Sequence, residues 1–144
     1  MASSLKKLAL RRLFEITPID IILLQETLGL ADLIFDTLAS MCPGWIFSAI
    51  DAIGQSGGLS IGFNPKSIRA LTSWGGRGYM GLDLFSADLG TNFRVINIYG
   101  PYQQREQLWK HLLGLSILSK ENIIIGVIST FLWVMVNLGD LWLR

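Results

Sequence analysis

The sequence predicts an α/β layered protein built on mixed sheets. Three observations carry this. A short, nearly continuous apolar run, Ile19 to Gln25, lies between two amphipathic segments. The middle of the chain is a series of short apolar runs separated by glycine-rich or polar turns. A further amphipathic segment then leads into a second apolar run, Ile123-Ile124-Ile125. Helical and strand periodicities that alternate in this way indicate helices layered on sheets rather than a bundle or a barrel.

Residues 3–15 read as a helix, capped by Ser3 or Ser4, with Leu5, Leu8 and Leu13 on one stripe and Pro18 ending it. In Ile19 to Gln25, isoleucines and leucines occupy nearly every position, the pattern of a strand covered on both faces and packed under helices. The run ends in the polar Gln25-Glu26-Thr27. Residues 30–40 form a second amphipathic helix, stopped by the turn Cys42-Pro43-Gly44, and Trp45 to Ile50 reads as a strand. Leu59 to Phe63, Ile68 to Trp74, Tyr79 to Phe85 and Phe93 to Ile98 are strands, expected as one antiparallel, meander-like run. Gly75-Gly76-Arg77-Gly78 is either a loop touching a nucleic-acid backbone or, more simply, a hairpin turn. Gly100-Pro101 breaks the last strand, and residues 103–113 form a third helix before the strand at Ile123. No internal repeat and no low-complexity linker interrupts the chain.

Composition narrows the function classes. The 144 residues are 51% hydrophobic and only 16% charged, with a mean hydropathy of +0.46. A soluble domain averages about 25% charged residues, so this chain needs a large core, a partner or a membrane. The net charge of +1 gives no global footprint for nucleic acid. Lys6, Lys7, Arg11 and Arg12 do cluster, as a phosphate-facing patch or, more commonly, a solvated helix face. Cys42 is the single cysteine, which excludes an internal disulfide and a thiolate zinc site and fits a reducing compartment. His111, the single histidine, reads as a helix-surface or packing residue rather than a ligand. Arg11 and Arg12 interrupt the first apolar segment, so the N-terminus does not read as a secretion signal and an intracellular location is expected.

Three motifs occur in order: Asp20 to Thr27 (DIILLQET), Gly57 to Phe63 (GGLSIGF), and Arg94 to Pro101 (RVINIYGP) with Asn122 to Gly126 (NIIIG) beyond a helix. Together they resemble the endonuclease/exonuclease/phosphatase superfamily, in particular the endonuclease domain of plant-type non-LTR (LINE-like) retrotransposons. The resemblance spans about residues 5–126. It implies a DNase I-like four-layer α/β sandwich with mixed sheets, here an N-terminal part whose C-terminal half is missing. It also implies phosphodiester hydrolysis of nucleic acid with a divalent cation, usually Mg²⁺. A hard cation takes oxygen ligands and polarises phosphoryl oxygens. By resemblance Glu26 is the metal-binding glutamate and Tyr99 the tyrosine near the scissile phosphate. Read without the family, Glu26 is a strand-end carboxylate in water and Tyr99 an aromatic before a Gly-Pro turn. Gly57 and Gly58 read as turn and packing residues rather than a phosphate cradle.

The sequence departs from the family in three places. The opening family strand, which ends in an asparagine, has no counterpart before the first helix. The strand at Ile123 should run into Gly-Asp-x-Asn, whose aspartate activates the nucleophile and whose asparagine holds the phosphate; here it reads Gly126-Val127-Ile128-Ser129. Valine and isoleucine do neither. The closing Ser-Asp-His has no counterpart, since no histidine follows His111. A reading-frame slip near codon 126 accounts for the second departure, because the shifted frame permits Gly-Asp-Leu-Asn-Phe-Ser-Leu-Gly.

Two regions are therefore expected: a nuclease-like portion, residues 1–126, and an apolar tail, residues 127–144. Residues 122–139 carry no charge. A membrane span needs roughly 20 apolar residues, so the alternative to a degenerate, catalytically inactive phosphodiesterase is a small protein anchored in a membrane through residues 122–143. A third expectation is a non-catalytic remnant that associates, with itself or a partner, through exposed apolar surface.

Overall fold

The computed structural model describes residues 4–16, 18–25, 31–50, 58–99, 105–115, 122–128 and 134–136. In chain order the elements are α1 (Ser4–Ile16), β1 (Ile21–Gln25), α2 (Ala31–Met41), β2 (Ile46–Ile50), β3 (Leu59–Phe63), β4 (Ile68–Gly76), β5 (Tyr79–Ser86), β6 (Thr91–Tyr99), α3 (Arg105–Gly114), β7 (Ile123–Ile128) and β8 (Val134–Val136). They form two four-stranded sheets, ordered β2-β3-β1-β8 and β4-β5-β6-β7.

The expected single meander is divided. β2 and β3 pair antiparallel in the first sheet, while β4, β5 and β6 form the meander of the second. The chain changes sheets at Asn64. Its amide donates to Asp20 O at 3.0 Å, its Oδ1 accepts from the Lys66 amide at 3.1 Å, and its carbonyl accepts from the Ile68 amide at 3.2 Å. An asparagine that caps its own turn makes this corner without leaving donors unpaired. β1 is covered on both faces as expected, yet both its partners, β3 and β8, run antiparallel to it. Among the described residues the one parallel pair is β6–β7, which α3 connects in the crossover manner such pairs require.

Period-two alternation sorts the side chains into layers. Ile21 and Leu23 of β1 and Leu59, Ile61 and Phe63 of β3 face Met80, Leu82 and Leu84 of β5 and Phe93 and Val95 of β6, making the core between the sheets. Ile22 and Leu24 point the other way, onto Leu38 and Met41 of α2 and Phe14 of α1. Ile96 and Ile98 point out of the second sheet onto Leu108, Trp109 and Leu112 of α3. Helices, sheet, sheet and helix thus give four layers.

Two turns depend on glycine. The β4–β5 hairpin closes through Arg77-Gly78 with Gly78 at φ +83°, and the β5–β6 turn ends on Gly90 at φ +63°, whose amide donates to Ser86 O at 2.9 Å. Gly75 to Gly78 is therefore a hairpin, the simpler of its two readings.

The expectation of a membrane anchor over residues 122–143 finds no support. Residues 123–128 and 134–136 are strands, paired with β6 and β1. Among the described residues no helix is long and apolar enough to cross a membrane. The valines and isoleucines there serve the sheets. Arg11 and Arg12 are exposed on α1. Cys42 is 4% exposed, and burial pushes its thiol up to about 11, against a smaller opposite pull from Arg11. His111 is exposed on α3, its ring centroid 5.9 Å from that of Tyr79.

Candidate functional site

Strand register brings the motif residues to one end of the sandwich. Gln25, the last residue of β1, lies opposite Leu59, which lies opposite Ile50. In the second sheet Ile98 lies between Tyr79 and Val127, and Tyr99 lies opposite Ile128. A hydrogen bond from Gln25 Nε2 to Ile98 O, 2.9 Å, joins the two ends. The C-termini of β1, β6 and β7 therefore converge.

The convergence is held by buried amides. Gln25 and Asn97 face the inter-sheet layer by the same alternation as Leu23 and Val95, at 8% and 0% exposure. Gln25 Nε2 donates to Asn97 Oδ1 at 2.8 Å. It also approaches Gly126 O at 3.5 Å. Asn97 Nδ2 donates to Leu24 O at 2.9 Å and to Ser60 O at 3.1 Å. One amide pair thereby binds β1, β3, β6 and β7. Buried amides are tolerated only when their donors and acceptors are paired, and here both donors of Asn97 are used.

Of the sequence-assigned site residues, Tyr99 is half-buried at the end of β6. Its amide donates to Gly78 O at 2.8 Å and its ring packs against the inter-sheet core. Glu26 directly follows Gln25 in the chain and lies outside the described residues. So do Gly57 and Ser129. Val127, where the family aspartate is expected, lies at the end of β7 and is 42% exposed.

Donor chemistry decides how well a divalent cation fits. Among the described residues no three His, Cys, Asp or Glu side chains lie together. The described side chains at this end offer amides and a phenol, not carboxylates. Mg²⁺ is usually anchored by one or two carboxylates with water and substrate phosphate completing the shell. By resemblance Glu26 alone would supply such a group, and it lies outside the described residues; the described residues at this end do not by themselves make a fitting cation site.

Gln25 and Asn97 lie inside the motifs, which by resemblance assign neither a role. The signal was present: each is an amide at an inward-facing position, on the face that Leu23 or Val95 shares.

Comparison with solved structures gives the fold. The human Nocturnin catalytic domain, with a bound sulfate anion, matches with a TM-score of 0.61 at 16% identity, over 85% of this chain and 55% of that one. An endonuclease/exonuclease/phosphatase family protein of Bacteroides thetaiotaomicron matches with a TM-score of 0.65 at 12% identity, over 85% and 54%. The mannosyl-6-phosphatase Bt3783 of the same bacterium matches with a TM-score of 0.62 at 12% identity, over 85% and 55%. The scan against family models and the search of curated proteins find no match. The chain thus has the DNase I-like α/β sandwich fold of endonuclease/exonuclease/phosphatase proteins. It spans about half the length of the structures it matches.

Proposed function

We propose that the chain is a degenerate portion of a divalent-metal-dependent phosphodiesterase, an endonuclease of retrotransposon origin, that no longer turns over substrate. The fold supports the phosphodiesterase ancestry. The NIYGP and LLQET motifs at the converging strand ends support the retrotransposon affiliation, with Glu26 as the ancestral Mg²⁺ ligand and Tyr99 as the group near the scissile phosphate. Nucleic acid is the ancestral substrate.

The observation that carries the loss of turnover is Val127. It is the penultimate residue of β7, in register with Ile98 and beside Tyr99, where the proposed chemistry calls for a carboxylate to accept a proton from the attacking water. An isopropyl group cannot take that proton. One carboxylate at position 26 leaves a cation weakly held and leaves the nucleophile without a base. A frame slip near codon 126 is the proposed origin of Val127, Ile128 and the tail 127–144; translation of the encoding DNA in all three frames tests it, and absence of Asp and Asn codons in the shifted frame refutes it.

The functional test is cleavage of a plasmid and of a bis-nitrophenyl phosphodiester in Mg²⁺ or Mn²⁺. The expected result is no product above the buffer control. Cleavage that disappears in Glu26→Gln overturns the proposal.

A further inference from the structure

Strand β1 has the makings of an interior strand. Its sequence is Ile-Ile-Leu-Leu-Gln, with no charge and no proline, and all five residues are buried. Its register against β3 is unbroken. Such a strand left at a sheet edge is a template for pairing, and natural edges prevent this with charge, proline, a bulge or a cover. β1 has none of the first three. Its cover is β8, whose register sets Val136 against Ile21, Met135 against Ile22 and Val134 against Leu23.

The phase of this pairing follows from one bond on the opposite side of β1. The Asn64 amide donates to Asp20 O at 3.0 Å, continuing the β1–β3 register. In an antiparallel ladder the backbone groups of successive residues point to alternate sides. Asp20, Ile22 and Leu24 therefore face β3, while Ile21 and Leu23 face β8. On β8 the amides of Val134 and Val136 face β1, and that of Met135 points away. The path of the chain fits this. β7 and β8 are the terminal strands of their sheets. β7 ends where β1 ends, and β8, antiparallel to β1, begins there. Residues 129–133 join the two. A link of that length reaches roughly 16–20 Å when extended, enough to pass between packed sheets about 10 Å apart.

We infer that the β1 edge is a strand-acceptor site, and that the chain's own segment Val134–Val136 fills it as a closing strand. The site takes an extended, uncharged segment running antiparallel to β1, by backbone hydrogen bonds from Ile21 and Leu23, the chemistry of strand addition. The tail is thereby a working part of the first sheet, whatever its coding origin. It secures the strand that ends in Gln25. Because the pairing is short, the same segment supplied as a separate peptide can replace it.

This inference is independent of catalytic ancestry, so each can fail alone. The test is amide hydrogen exchange of the full chain at residue resolution. In the wild type the amides of Ile21 and Leu23 are slow. Val134→Pro/Val136→Pro removes both amides that β8 gives to the ladder. It speeds exchange at Ile21 and Leu23 by at least about tenfold, while Ile22 and Leu24, bonded to β3, stay slow. Met135→Pro, at an outward amide of an edge strand, changes none of the four by more than about twofold. A lysine-tagged peptide of residues 130–140, added in large excess to the double variant, slows Ile21 and Leu23 again, and a scrambled peptide does not. If the double variant also frees Ile22 and Leu24, its fold is lost and Val136→Pro alone decides by the same readout. Fast exchange of Ile21 and Leu23 in the wild type overturns the inference. So does slow exchange there in the folded Val134 and Val136 variants, equal exposure by Met135→Pro, or a peptide without effect.

Discussion

Gln25 Nε2 and Asn97 Oδ1 meet at 2.8 Å between the two sheets, with both side chains buried. The pair ties the start of the QET motif, at the end of β1, to the start of the NIYGP motif. Two segments separated by 72 positions in sequence are thereby fixed side by side, and with them the strand end carrying Tyr99.

The first prediction concerns this amide pair. Asn97→Leu removes two donors and one acceptor and leaves Leu24 O, Ser60 O and Gln25 Nε2 to find new partners in a dry layer. Each buried group left unpaired costs about 1–3 kcal/mol. Urea unfolding of Asn97→Leu should show at least that loss. The double variant Asn97→Leu/Gln25→Leu should lose less than the sum of the two singles, by about 0.5–3 kcal/mol. Additive losses would mean that the bond is incidental.

A second prediction concerns Cys42. Its thiol, ordinarily at 9.0, is raised to about 11 by burial. Below pH 9 the thiol is protonated in both folded and unfolded chains and stability does not depend on it. Between about 9 and 11 the unfolded chain releases its proton while the folded chain keeps it, so stability falls as pH rises, by at most roughly 3 kcal/mol. Thermal unfolding at pH 8 and pH 10.5 measures this, and Cys42→Ala should lack this component of the fall. The native thiol should also react slowly with a disulfide reagent at pH 7 and quickly in urea.

A third prediction concerns the outer face of the second sheet. Asp83 and Arg94 are cross-strand partners joined at 2.7 Å and 3.1 Å, with Thr72 Oγ1 donating to the same carboxylate at 2.9 Å. The Arg94 guanidinium sits 5.1 Å from the Trp74 ring, and Trp74 covers Gly81 so closely that a Cβ there would strike the indole. Gly81→Ala should therefore cost about 1–3 kcal/mol by overpacking. Trp74→Leu should relieve most of that cost in the double variant. An additive double variant in chemical denaturation would contradict the packing account.

Much of the secondary structure was legible because its periodicities are strong. β3 begins and ends where Leu59 and Phe63 predict, and α1, α2 and β2 begin within a residue or so of their expected starts. The division of the middle strands between two sheets was not legible. Hydrophobic alternation reports which faces are buried, not which strand is the neighbour, and only the Asn64 corner decides that. β8 was hidden for the same reason: an uncharged apolar tail has the composition of a membrane span, and its pairing with β1 is a long-range event. In the site, the motifs located Tyr99 at a strand end, while the Gln25–Asn97 bond, which brings the strand ends together, depends on two distant inward-facing positions that no local pattern relates.

Two changes at the end of β7 separate lost chemistry from lost fold. Val127→Asp puts a carboxylate where the proposed ancestry calls for a base, in register with Ile98 and beside Tyr99. The account expects this variant to gain a small Mn²⁺-dependent phosphodiesterase rate that Glu26→Gln removes, because the attacking water again has a group to take its proton. Val127→Asn should gain none. Equal rates for all three proteins would mean that position 127 is not where the base was lost.

The most direct measurement is phosphodiester turnover by the full wild-type chain in Mg²⁺ and Mn²⁺, compared with Glu26→Gln. The account predicts that both proteins give the same rate as buffer, because Val127 cannot accept the proton that an attacking water must lose. A wild-type rate well above background and abolished in Glu26→Gln would contradict it.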